Sequence, residues 1–216
     1  NSVAEHTVTL MLACAKNLIL QDHACRAGDF ESRNRTKGVE LDGKVLGLIG
    51  CGHIGRLVAQ KAALGFGMKV IGYDAYADQK EMPEYLTLLD CVEEVYREAD
   101  FLSLHVPLTP TTKDMINKAV MDHMKPGAVI LNCARGGVVN EADLYEAVKS
   151  NRLAGAGLDV FADEPVDPQN PLYTLDRVVV TPHNAALTKE AADRMGLHAA
   201  QGIVEVLNGK KPTWPV

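Results

Sequence analysis

The stretch KVLGLIGCGHIGRLVAQKAALGFGMKVIGYD, residues 44–74, decides how the rest of the chain is read. It opens on a short apolar β-type run, passes through Gly50-Cys51-Gly52-His53-Ile54-Gly55, continues as a helical stretch and closes on a second β-type run ending at Asp74. Strand, glycine turn, helix and strand in about 30 residues make one βαβ unit. Each glycine has a mechanical reading: Gly50 permits the tight turn, Gly52 leaves room for a pyrophosphate against the backbone, and Gly55 lets helix and strand approach closely. Free N–H groups at the helix start then face the phosphates. Asp74 falls about 20 residues past the last glycine, where an acid accepts both adenosine ribose hydroxyls and repels a 2′-phosphate. The expected cofactor is therefore NAD and not NADP. Enzymes that use S-adenosylmethionine also place a glycine-rich loop before a strand-end acid, so this stretch alone does not separate hydride transfer from methyl transfer.

Outward from this unit, the chain keeps alternating β-type runs with helical ones. Further β-type runs are FLSLHV at 101–106, AVILNC at 128–133, AGAGLDV at 154–160 and RVVVTP at 177–182, making six with 44–50 and 69–74. Helix-like stretches cover roughly 53–65, 91–98, 117–123 and 140–150. Nearly continuous apolar strands alternating with helices imply a parallel sheet covered on both faces. The expected fold is α/β: a doubly wound parallel sheet in three layers, a Rossmann-type NAD-binding domain. Residues 163–176, rich in proline and acids, read as a surface loop. The segment 188–209 reads as a closing helix capped by Thr188 and stopped at Gly209. Residues 3–20 are apolar-rich and unbroken by glycine or proline, so they read as one long helix, and a chain that enters it at once, without methionine, is expected to be a fragment.

Composition narrows the function classes. The chain has 216 residues, 47% hydrophobic and 23% charged, enough for one full core. A net charge of −6 with scattered Lys and Arg offers no basic stripe for nucleic acid. No apolar run approaches the roughly 18 residues of a membrane span, and no signal-peptide pattern opens the chain. Cysteines at 14, 25, 51, 91 and 133 show no CxxC spacing, so no metal site is expected and a cytoplasmic location is.

Ligands of an open α/β sheet bind beyond the carboxyl ends of its strands, and three polar residues sit there: Arg135, Glu164 and His183. Each has a plain alternative: a solvated loop cation, one more acid in an acidic loop, a satisfied core histidine. Their common placement on one rim favours a site. The other histidines, His6, His23, His123 and His198, lie in helix-like stretches and read as surface or packing residues; His105 borders the adenosine region.

The segments GCGHIGRLVAQKAALGFGMKVIGYD, HVPLT, NCARGGVVNEADLYEAVKSNRLAGAGLDVFADEP and TPHNAALTKEA resemble the signature regions of the D-isomer-specific 2-hydroxyacid dehydrogenases, nearest to the phosphoglycerate dehydrogenase and hydroxypyruvate or glyoxylate reductase branch. The resemblance implies that Arg135 binds a substrate carboxylate and carbonyl, that His183 donates and accepts the proton, and that Glu164 pairs with His183. It further implies cofactor contacts from His53 and Ile54 at the pyrophosphate, from Val106 on the adenosine side, and from the backbone at Cys133 and Ala134. Asp159 would bind the nicotinamide carboxamide, with Asn184, Ala185 and Ala186 following the catalytic histidine. The side chain of Cys133 reads as a small buried group and not a nucleophile.

Those residue types suit the chemistry. Reduction of a 2-oxo acid leaves an alkoxide that needs a proton, a role for His183 that is typically worth about 10² to 10⁴ in rate. A neighbouring carboxylate favours the imidazolium, extending reduction toward higher pH. The arginine fork matches a carboxylate as lysine does not. By resemblance, residues 1–216 are the NAD-binding domain alone, with 1–28 an interdomain and dimer helix and 210–216 an exit toward a substrate domain that is absent. The resemblance implies a homodimer acting on a small 2-hydroxy or 2-oxo acid, with the isolated fragment binding NAD(H) but turning over negligibly. An alternative from the same resemblance is an NAD-sensing dimerisation module of the corepressor type.

Overall fold

The structure, a computed structural model, describes residues 1–215. The apolar runs become strands β1 Val45–Ile49, β2 Lys69–Tyr73, β3 Leu86–Leu88, β4 Phe101–Leu104, β5 Val129–Asn132, β6 Gly155–Leu158 and β7 Val178–Val180. All pair in parallel, in the order β3-β2-β1-β4-β5-β6-β7. β1 is flanked by β2, with Leu46 beside Val70, and by β4, with Leu46 beside Phe101. The chain reverses direction across the sheet at that point, so a crevice opens at the carboxyl ends of β1 and β4.

Helices cover both faces. On one lie α1 Ser2–Ala15 and α4 His53–Phe66; on the other lie α5 Val92–Glu98, α6 Lys118–His123 and α7 Glu141–Lys149. The strand period of two sorts the core between them. Val129 and Leu131 pack with Met11 of α1 and Val58 of α4, whereas Ile130 between them packs with Met121 of α6 and Leu144 of α7. Ile130 and Leu131 are both fully buried, each contributing about 1.5–3 kcal/mol by leaving water. Because neither face is solvated, these strands read as continuous apolar runs, and the doubly wound expectation holds.

The sheet has seven strands and not the six expected. β3 is a three-residue edge strand paired only with β2, too short to show a periodic signature. The N-terminal helix also departs from expectation. It stops at Ala15 and resumes as α2, Leu18–Arg26, bent by 59°. At the break Asn17 adopts φ 49, a left-handed conformation that asparagine tolerates, and its amide donates to the Lys37 carbonyl at 3.1 Å. A short α3, Ser32–Arg35, follows. Among the described residues no single helix is long and apolar enough to cross a membrane; α1 and α2 pass that test only as a bent pair.

The closing helix α8 runs Lys189–Leu207, with Thr188 accepting from the Ala191 amide and Gly209 at φ 71, as its sequence indicates. Of its residues only Ala191 is buried. The tail turns back along α8: Trp214 stacks on His198 at 3.8 Å, and Glu205 accepts from the Thr213 amide and hydroxyl at 2.6 and 2.7 Å. The segment expected at 210–216 thus returns to α8 at Thr213 and Trp214, and Val216 is outside the described residues.

Candidate active site

The glycine turn joins β1 to α4. Gly50 has φ +94, and a Cβ there would stand 2.5 Å from the His105 carbonyl oxygen; one on Gly55 would stand 2.3 Å from the Gly50 oxygen. Both positions exclude any side chain. A Cβ on Gly52 would meet nothing within 4 Å, so this turn is open at the point where a pyrophosphate needs room. α4 starts there with no side-chain cap, leaving its first amides, around His53 and Ile54, unclaimed by a side chain. The cradle fits a dinucleotide.

Asp74 follows β2 directly. One oxygen accepts the Cys51 amide at 2.7 Å and the other the Tyr76 amide at 2.9 Å, so the carboxylate ties the glycine turn to the end of β2. Burial, with Asp74 nearby, pushes the Cys51 thiol up to about 12, so this cysteine is structural.

A cleft of about 260 Å³ runs from the turn along the strand ends. Its lining joins Ile54, Val106, Cys133 and Ala134 to Arg135, Asp159, His183, Ala185 and Ala186. Cys133 is buried, its thiol pushed up to about 12 by that burial, in keeping with a packing role. His105 reaches the Ser103 hydroxyl at 2.9 Å, and burial pushes its imidazole down to about 4. It is therefore neutral where it borders the cleft.

Arg135, Glu164 and His183 come from turns after β5, β6 and β7, three adjacent strands. His183 Nδ1 lies 2.7 Å from Glu164 Oε2, and Glu164 Oε1 accepts the Phe161 amide at 3.0 Å. The hydrogen bond with His183 holds the Glu164 carboxyl below the usual carboxylate range, helped by the Phe161 amide and the Arg135 charge and opposed by partial burial. The Arg135 guanidinium is exposed, donating to the Ala134 carbonyl at 2.6 Å, and no ion pair among the described residues engages it. The Arg135 and Glu164 turns touch: a Cβ on Gly136 would fall 1.7 Å from the Phe161 oxygen. Glu141, at the start of α7, braces the same loop by accepting the Ala162 amide at 2.6 Å and the Asn170 side chain at 3.0 Å.

Four groups that sequence reasoning missed or undervalued stand beside this rim. Asp159 is fully buried, and its carboxylate accepts the Thr181 hydroxyl at 2.6 Å and the Asn184 and Ala185 amides at 2.9 Å each. It anchors the His183 turn whatever else it binds. Thr181 and Glu141 carry no signal in one sequence. His6, read as surface or packing, instead reaches Thr181 Oγ1 at 2.8 Å. Its one sequence clue is its place one helical turn after Val3, which lines the cleft.

What the rim assembles is the working face of a nicotinamide dinucleotide-binding domain. Comparison with known proteins narrows that class to a family: residues 8–185 match the D-isomer specific 2-hydroxyacid dehydrogenase, NAD binding domain, and the chain belongs to that family. It is 46% identical over 211 residues to the D-3-phosphoglycerate dehydrogenase of Methanocaldococcus jannaschii, covering 97% of this chain and 40% of that protein. It is 45% identical over 209 residues to the hydroxypyruvate reductase of Thermotoga maritima, covering 95% and 66%. The solved D-lactate dehydrogenase of Lactobacillus jensenii with NAD+ superposes with a TM-score of 0.90 at 33% identity, over 100% of this chain and 68% of that one. The chain thus spans between about two-fifths and two-thirds of the length of these relatives. The cofactor of the domain is NAD.

Proposed function

We propose that this domain supports hydride transfer between NAD(H) and a D-2-hydroxy acid/2-oxo acid pair of the phosphoglycerate or hydroxypyruvate–glyoxylate type. The observation that carries the reading is the His183–Glu164 pair at 2.7 Å, set on the same cleft as an exposed Arg135 that has no ion pair among the described residues. Bound NADH supplies the hydride. Arg135 grips the substrate carboxylate with two parallel N–H groups and polarises the adjacent carbonyl. With Nδ1 engaged by Glu164, Nε2 is the nitrogen of His183 left to give its proton to the forming alkoxide and to take it back in oxidation. Glu164 fixes the orientation of the ring. The relatives named above support the choice of acids.

The cleft is open where Arg135 is exposed, so the same reading assigns its second wall, and the exclusion of water, to a substrate domain outside this chain. It takes the working protein to be a cytoplasmic homodimer, from five unpaired cysteines for location and from the family resemblance for assembly.

The test is an NADH fluorescence titration of the chain, followed by NADH oxidation with glyoxylate, hydroxypyruvate and phosphohydroxypyruvate. The chain alone is expected to bind NADH and turn over negligibly. Joined to the substrate domain of a relative, it is expected to reach about 1–10³ per second, falling about 10² to 10⁴-fold in His183→Ala. Binding of S-adenosylmethionine in place of NADH would overturn the reading, and a joined protein silent on every acid would favour an NAD-sensing module.

A further inference from the structure

We infer that His6 is a positioning residue for the turn that carries His183, acting through the Thr181 hydroxyl and the buried carboxylate of Asp159. The hydrogen-bond chain stands on its own geometry; its consequence for catalysis rests on the role proposed for His183.

His183 has φ 51, in the left-handed region that side-chain-bearing residues occupy only when their surroundings hold them there. The restraint comes from Asp159, which pins the two amides that follow, Asn184 and Ala185, one on each oxygen. A carboxylate already taking two amide protons also takes the hydroxyl proton of Thr181, at 2.6 Å. That spends the only proton Thr181 has. Its 2.8 Å contact with His6 Nε2 is therefore one in which the imidazole donates, so Nε2 carries a hydrogen. The same nitrogen lies 3.5 Å from Asp159 Oδ1, placing a positive edge against a carboxylate that forms no ion pair with a Lys or Arg among the described residues. His6 itself is immobilised, because α1 is fixed to the sheet by buried Ala4, Val8, Leu10 and Met11. A helix packed on one face of the sheet thus sets the backbone of a turn at its rim, through three side chains and two amides.

Removing the His6 donor leaves a Thr181 lone pair unpaired and withdraws the positive edge from Asp159, so the clamp on the turn loosens. The nicotinamide end of the cleft feels this change, since Ala185 and Ala186 line it, whereas the glycine turn does not. In His6→Leu, hydrogen exchange at the Asn184 and Ala185 amides should rise about 3- to 10-fold and the NADH dissociation constant by a similar factor. Binding of ADP-ribose, which lacks the nicotinamide, should not change. His6→Gln places an N–H donor close to the position of Nε2 and should restore both readouts. Thr181→Val, nearly isosteric, should copy His6→Leu, and the double variant should be no worse than either single, because both break one chain. The inference is overturned if Asn184 and Ala185 exchange at wild-type rates in His6→Leu or in Thr181→Val, if the two effects add, or if ADP-ribose binding weakens as much as NADH binding. A wild-type chain that binds no NADH would sink the functional reading, while the exchange rates would still decide this one.

Discussion

Replacing Asp74 tests the adenosine end of the site most directly. Its carboxylate lies at the tip of β2, one oxygen on the Cys51 amide and the other on the Tyr76 amide, so its charge is fixed beside the glycine turn. A ribose 2′-phosphate would bring roughly −1.5 to −2 charges against it, taking the phosphomonoester value. At about 4 Å and an effective dielectric of about 20, one pair of like charges costs about 4 kcal/mol. For 1.5 to 2 charges that is about 6–8 kcal/mol, which salt and partial exposure reduce to about 2–4 kcal/mol, a preference of roughly 30- to 1000-fold for NADH over NADPH. Asp74→Ser removes the charge and should bring the two affinities within about tenfold of each other. It should also weaken NADH binding, since the Cys51 and Tyr76 amides lose their acceptor. Asp74→Asn keeps an acceptor oxygen without the charge, and so separates the turn clamp from the repulsion. The assay is fluorescence titration of each variant with both cofactors at fixed ionic strength. A wild-type chain that binds NADPH as well as NADH, or an Asp74→Ser variant with an unchanged ratio, refutes the electrostatic argument.

Two other substitutions probe the rim of the cleft. Glu164→Gln keeps the shape of the contact but removes the charge that orients the His183 ring, so reduction by the joined enzyme should slow in kcat while NADH affinity stays close to the wild type. Because the Glu164 carboxyl sits below its ordinary value of 4.5 in the folded chain, the pair stabilises the fold above about that pH. That contribution is lost as pH falls through the lower native value, and acid titration of the wild type against Glu164→Gln should converge there. Gly136→Ala drives a Cβ into the Phe161 oxygen and should cost about 1–3 kcal/mol in urea unfolding. It should also lower turnover, by parting Arg135 from Glu164; unchanged stability and turnover would show that the two turns are not coupled.

Much of this was legible in the sequence because the signals were local. A parallel sheet buried on both faces writes its strands as continuous apolar runs, and β1, β4 and β5 stand close to where those runs fall. The glycine turn announces itself because Gly50 and Gly55 have no steric alternative. Arg135, Glu164 and His183 stand out as polar residues ending apolar strands. What stayed hidden depends on partners distant in sequence. β3 exists because β2 offers it an edge, and the bend at Asn17 needs the Lys37 carbonyl. Likewise His6 looks like any helical histidine until the fold carries Thr181, 175 positions away, to its ring. The resemblance pointed Asp159 at the cofactor; the fold shows that both its oxygens also hold protein.

The three side chains at the rim hang from neighbouring strands, and neighbouring strands lie about 4.8 Å apart. Two such steps, close to 10 Å, therefore separate the anchor of Arg135 from that of His183, and no change of loop sequence alters that gauge. If the site acts as proposed, the atoms common to every 2-oxo acid, the carboxylate and the carbonyl beside it, are met from both ends of this row. The part that differs from one acid to the next must then lie off the row, away from the sheet. In such an architecture a protein can exchange one substrate for another without moving a strand.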